Sequence, residues 1–89
     1  MATIIKTTSE IETVEPANNN IFSLDELQKA INGYFTIVPI DAGKYSGKFM
    51  IVNEDALMRP NQVVNTIASY IAGQRIVGQV MIIDREQIE

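Results

Sequence analysis

QVMIID (79–84) sets four large apolar side chains, Val80, Met81, Ile82 and Ile83, in a row between two polar residues. Successive side chains of a strand point to opposite faces, so this segment is apolar on both. A strand of that kind belongs inside a sheet, with helices over one face and further cover over the other. The rest of the chain is read outward from it.

Upstream, PNQVVNTIASYIAG (60–73) reads as a helix. Pro60 announces it, Asn61 is the expected cap, and Val64, Ile67, Ala68 and Ile71 fall at i, i+3, i+4 and i+7 to make one apolar stripe. Gly73 is expected to end it. Before that, segments 34–40 and 48–52 are rich in aromatic and β-branched residues and read as two strands joined by DAGKYSG (41–47). Pro39 lacks the amide that a ladder needs, so its strand ends there or lies at an edge.

FSLDELQKAING (22–33) carries an explicit helix start. Ser23 can cap the first free amides while Glu26, three residues on, reaches back to the cap, and Phe22 and Leu27 hold the two staple positions. Leu24, Leu27 and Ile31 then form a stripe, and Gly33 is expected to close the helix in a left-handed conformation. At the start of the chain, 3–6 and 11–14 are short β-rich runs around a polar connector, which is the pattern of a hairpin. EPANNN (15–20) follows as a loop, where a plain connector outweighs a recognition role for the three Asn. Residues 84–89 form a C-terminal tail.

The order is therefore β-β-α-β-β-α-β: a single α+β domain over 1–89, with two helices packed on one face of a mainly antiparallel or mixed five-stranded sheet. The other face would expose Met50, Val52, Met81 and Ile83. An apolar patch of that kind commonly means self-association, so a homodimer is expected. A chain of 89 residues has room for one domain and buries only about 60–65% of its unfolded surface. Its 46% apolar and 20% charged content nevertheless belongs to a chain with a core to build.

Seven basic residues against eleven acidic ones leave a net charge of −4, and the Lys and Arg are scattered. That disfavours binding to a nucleic-acid backbone, which needs clustered cations. The carboxylates are equally dispersed and offer no acidic run for a DNA mimic. With no Cys there is no disulfide or thiol chemistry, and with no His the usual zinc and transition-metal sites are out of reach, so no metal or cofactor is expected. MATIIKTTSE (1–10) lacks the apolar core of a signal peptide, and no apolar run is long enough to cross a bilayer. A cytoplasmic location without a membrane partner is expected.

DAGKYSGKF (41–49) has the glycines and lysines of a phosphate loop but not its pattern. Gly43 and Gly47 are one residue too close, Phe49 stands where Ser or Thr belongs, and a strand follows instead of a helix. A hairpin connection is favoured, with Lys44 and Lys48 left as a weak anion-binding tip. Catalysis is hard to assemble without His or Cys. Glu54 and Asp55 are adjacent, so on a strand they point to opposite faces and cannot share a proton. An enzyme would have to combine Glu54 with Tyr34 and Arg75 across the fold.

NEDALMRPNQVVN (53–65) concentrates Asn53, Glu54, Arg59, Asn61 and Asn65. On a helix capped by Asn61 the last two lie one turn apart on the same face, so both amides can reach one ligand or partner, although capping and solvation explain most of the pattern. With Tyr34, these residues form the candidate ligand- or partner-binding set. The first reading is a non-enzymatic binding or accessory protein that acts through protein–protein contacts. The second is a small-ligand or nucleotide binder that uses the same residues.

LDELQKAINGYFTIVPI (24–40), KFMIVNEDA (48–56), PNQVVNTIA (60–68) and IVGQVMII (76–83), taken in order, resemble the pattern of domain of unknown function 3846, a family of small proteins of bacteria, phages and mobile elements. Gly33, Tyr34, Pro39, Glu54, Asn61 and Gly78 match it. Asn32-Gly33 in place of paired glycines, the Asn run at 18–20 and the lysine-bearing hairpin tip depart from it. The resemblance implies an origin in bacteria, their phages or their mobile elements, and it implies no activity.

Overall fold

The computed structural model describes residues 2–16, 21–31, 33–41, 43–54 and 63–88. In chain order the elements are β1 (Ala2–Ile5), β2 (Ile11–Val14), α1 (Leu24–Ile31), β3 (Phe35–Pro39), β4 (Phe49–Asn53), α2 (Thr66–Ala72), β5 (Val80–Ile83) and a closing 3-10 turn, Arg85–Gln87. The strands form one five-stranded sheet in the order β2-β1-β5-β4-β3, each neighbouring pair antiparallel. This is the α+β domain and the element order that the sequence predicts.

β5 is the central strand, and all four of its side chains are buried. Its register sets Met81 between Ile4 and Ile51, and Ile82 between Thr3 and Met50. Alternation then divides the apolar side chains into two cores. Ala2, Ile4, Ile51, Met81 and Ile83 pack with Phe22, Leu27 and Ile31 beneath α1. Ile5, Met50, Val52, Val80 and Ile82 pack with Ile40, Ala68 and Ile76 beneath α2.

The two helices therefore lie on opposite faces of the sheet, not on one face as the sequence reading expects. The reason is the double-sided character of β4 and β5. Fully burying one large apolar side chain is worth about 1.5–3 kcal/mol, so leaving Met50, Val52, Val80 and Ile82 in water would forfeit on the order of 6–12 kcal/mol. That is comparable with the whole stability of a small domain. One helix on each face removes the deficit. The open apolar face expected to drive dimerisation is consequently absent, since Met50, Val52, Met81 and Ile83 are all buried within the chain.

α1 starts as its sequence dictates. The Glu26 amide donates to Ser23 Oγ (3.2 Å) and the Ser23 amide donates to Glu26 Oε1 (3.0 Å), while Phe22 and Leu27 meet in the same core. Leu24 is about half exposed, so Leu27 and Ile31 carry the stripe. The helix ends with the Gly33 amide on the Gln28 carbonyl (2.9 Å), at φ +155° and not in the left-handed helical conformation expected. Two side chains from the sheet side satisfy its last carbonyls: Asn53 Nδ2 donates to Ile31 O (3.2 Å) and Gln79 Nε2 donates to Ala30 O (2.6 Å).

α2 starts later than expected, and its cap is Asn65. Val64 precedes the helix and bridges Val77. Gly73 closes the helix as predicted, at φ 72° with its amide on Ser69 O (2.9 Å). Asp55, Arg59, Asn61 and the Asn run 18–20 lie outside the described residues.

β3 is an edge strand and ends at Pro39, in line with the proline argument. The Glu54 amide bonds Tyr34 O and the Ile40 amide bonds Lys48 O. With the β3–β4 register, alternation turns the backbones of Tyr34, Thr36, Val38 and Ile40 toward β4, and those of Phe35, Ile37 and Pro39 outward. The missing amide of Pro39 therefore costs the ladder nothing.

Candidate functional site

Of the predicted set, Tyr34 and Glu54 come together where the β3–β4 pair begins, the Glu54 amide donating to Tyr34 O. Both are exposed, Tyr34 at 69%. Asn53 lies beside Gly33, half-buried, and holds the end of α1 through Ile31 O. Asn65 does not join them. It is buried, its Oδ1 accepts the Ala68 amide (3.1 Å), and its Nδ2 donates to Ile5 O and Gly78 O (2.9 Å each). Those bonds employ both faces of the amide, so its role is internal: it ties the start of α2 to β1 and to the approach to β5. Arg59 and Asn61 lie outside the described residues. Arg75 is exposed in the loop after α2, and among the described residues no ion pair links it to Glu54.

A concave site lies at the other end of β3. The connection 41–47 is held by its own backbone bonds, Gly47 N–H to Ile40 O (2.8 Å) and Lys48 N–H to Tyr45 O (3.0 Å). It stands against the C-terminal end of α2 and encloses an open cleft of about 440 Å³. Asp41, Gly43, Lys44 and Tyr45 line one wall, and Tyr70, Ile71, Ala72 and Gly73 the other. The floor is apolar because Ile71, Ala72 and Tyr45 also pack on the core beneath α2. Tyr70 is 89% exposed, and the Lys44 ammonium sits 5.6 Å from the centre of the Tyr45 ring.

This arrangement offers two phenol rings, one ammonium and one carboxylate around an apolar surface. Rings of this kind stack on aromatic or aliphatic groups, and their hydroxyls can donate or accept. The cleft takes in the glycine–lysine stretch but not as a paired-lysine tip: Lys48 Nζ donates to Asp84 Oδ1 (2.5 Å), which leaves Lys44 on the cleft wall. Tyr45 and Tyr70 were not among the sequence candidates. Tyr70 does carry a signal, an aromatic residue standing off the Ile67–Ala68–Ile71 stripe.

Among the described residues no group of three or more His, Cys, Asp or Glu could hold a metal ion, and no helix is long and apolar enough to cross a membrane. Comparison with known families, with curated proteins and with solved structures finds no match.

Proposed function

We propose that this is a non-enzymatic binding or accessory protein that acts through protein–protein contact and receives an apolar or aromatic side chain of its partner in the cleft between the 41–47 connection and α2. The observation that carries this reading is Tyr70: a tyrosine 89% exposed on the lip of an apolar-floored cleft. Tyrosine supplies large contact area at low entropic cost and is enriched at interface hot spots. The ordered resemblance along the chain supports an origin in bacteria, their phages or their mobile elements.

The test compares tagged wild type with Tyr70→Ser as bait in lysate of the source cells. Because Tyr70 is exposed, the substitution leaves the fold within about 0.5 kcal/mol of wild type. A protein retained by wild type and lost with Tyr70→Ser supports the reading; identical capture by both baits refutes it.

The size of the cleft favours a second reading, a small ring-bearing ligand such as a nucleotide, since ligand sites commonly span about 300–1,000 Å³. A compound present at 100 times its dissociation constant would stabilise the protein by roughly 2.7 kcal/mol in a thermal-shift panel.

A further inference from the structure

We propose that β3 is the contact strand of a homodimer: the β3 strands of two copies pair antiparallel about a two-fold axis at Thr36 and join two sheets into one. This inference stands apart from the cleft and uses the outer edge of β3, which no other strand pairs among the described residues. The outward backbone groups of β3 are those of Phe35 and Ile37. With Thr36 opposite the partner's Thr36, Phe35 of each copy faces the partner's Ile37, and those two positions exchange both N–H···O bonds. Pro39 falls beyond the paired segment. Moving the axis to Ile37 would instead set Phe35 against the partner's Pro39 and leave the Phe35 carbonyl without a donor.

The side chains agree with that register. Phe35 meets the partner's Ile37 on the α1 face, while on the α2 face Tyr34 meets the partner's Val38 and Thr36 meets the partner's Thr36. Aromatic with β-branched and Thr with Thr are the cross-strand pairs that stabilise antiparallel sheets. Tyr34 and Ile37, 69% and 38% exposed, gain cover.

Charge selects both the edge and the occupant. FTIVP (35–39) carries none, so a second copy sets no like charges opposite one another even though each chain bears −4. On the other edge, alternation turns Ile11 and Thr13 outward. The equivalent pairing there would place Glu12 against the partner's Glu12; Lys6 at 3.1 Å offsets part of each charge, but like charges directly opposite remain less favourable than the neutral Thr36 pair.

Sedimentation of the full chain from micromolar to millimolar concentration tests this, with the mass expected to rise from 9.9 kDa toward twice that value. Thr36→Lys and Thr36→Glu, each alone, should weaken the dimer roughly tenfold, and an equimolar mixture should restore it. Circular dichroism checks that each variant folds. Hydrogen exchange on wild type supplies a readout that needs no variant: the Phe35 and Ile37 amides should gain protection with concentration while those of Ile11 and Thr13 do not. A monomer at every concentration, a dimer indifferent to both charges, or protection gained at β2 would each overturn the proposal.

Discussion

Replacing Asn65 with Ala probes the joint between α2 and the sheet. Three side-chain bonds are lost at once: the cap to Ala68 N–H and the donations to Ile5 O and Gly78 O. A helix cap is worth about 1 kcal/mol, and removing a donor from a buried carbonyl costs about 1 kcal/mol or more. The sum is about 3–4 kcal/mol. For a domain of this size each kcal/mol moves the melting temperature by roughly 4–8 °C, so a fall of about 12–32 °C is expected by calorimetry. Asn65→Ser keeps an oxygen for the cap and should recover about 1 kcal/mol of the loss in urea titration. Asn65→Asp keeps the acceptor but turns a buried carboxylate toward two carbonyl oxygens, so at neutral pH it should be worse than Ala. Its folded-state pKa is then raised, and lowering the pH through that value should restore part of the stability. An Ala variant that loses less than about 1 kcal/mol, or an Asp variant with no pH-dependent deficit, would refute this account of the joint.

Ser23→Ala removes the side chain that caps α1 and should cost about 1 kcal/mol in urea denaturation. Gly73→Ala meets open space and should cost about 1 kcal/mol, from left-handed strain alone. Gly33→Ala adds a Cβ 2.9 Å from Asn53 Nδ2, which displaces the amide that holds Ile31 O, so calorimetry should show a larger loss than for Gly73→Ala. Lys6 titrates above the ordinary lysine value of 10.5 because of its hydrogen bond to Glu12 and that carboxylate's charge. Its contribution to stability is whole below 10.5 and fades as pH rises through the higher folded-state value. Glu12→Gln should bring the Lys6 titration, followed by NMR, back down.

What the sequence makes legible is local. The Ser23–Glu26 box, the stop at Pro39 and the double-sided run at 80–83 depend on neighbours a few residues away, and each predicts its element. The side of the sheet that a helix takes does not. A stripe such as Leu27 and Ile31 states which side of the helix is apolar, and the sheet face it meets is settled by the competing demand of the second helix. The clue was in FMIVN (49–53), apolar at alternate positions on both faces just as β5 is. The start of α2 was obscured in another way: Asn61 and Asn65 are equal as local caps. Burial against Ile5, sixty residues away, gives Asn65 a structural role that spacing along the chain cannot reveal. The cleft is hidden for the same reason, because Tyr45 and Tyr70 come to line one cleft only once the sheet has folded.

The two-sided cover also bears on where such a protein can touch anything else. Apolar side chains on both faces of β4 and β5 require one helix each, and the two described helices are spent on that task. Among the described residues, neither face of the sheet centre then remains open for a ligand or for a second sheet. What is left are the backbone groups at the two edges and the connections at the strand ends. Glu12, with Glu10 and Glu15 at its flanks, guards the β2 edge against its own kind, which is how sheet edges usually avoid unwanted pairing. β3 carries no such charge, and its one proline already stands where the outward ladder would end. A domain under pressure only to remain monomeric would gain from a lysine at Thr36 or Ile37. Their neutrality argues that β3, together with the cleft beyond its C-terminal end, is the surface this chain keeps available.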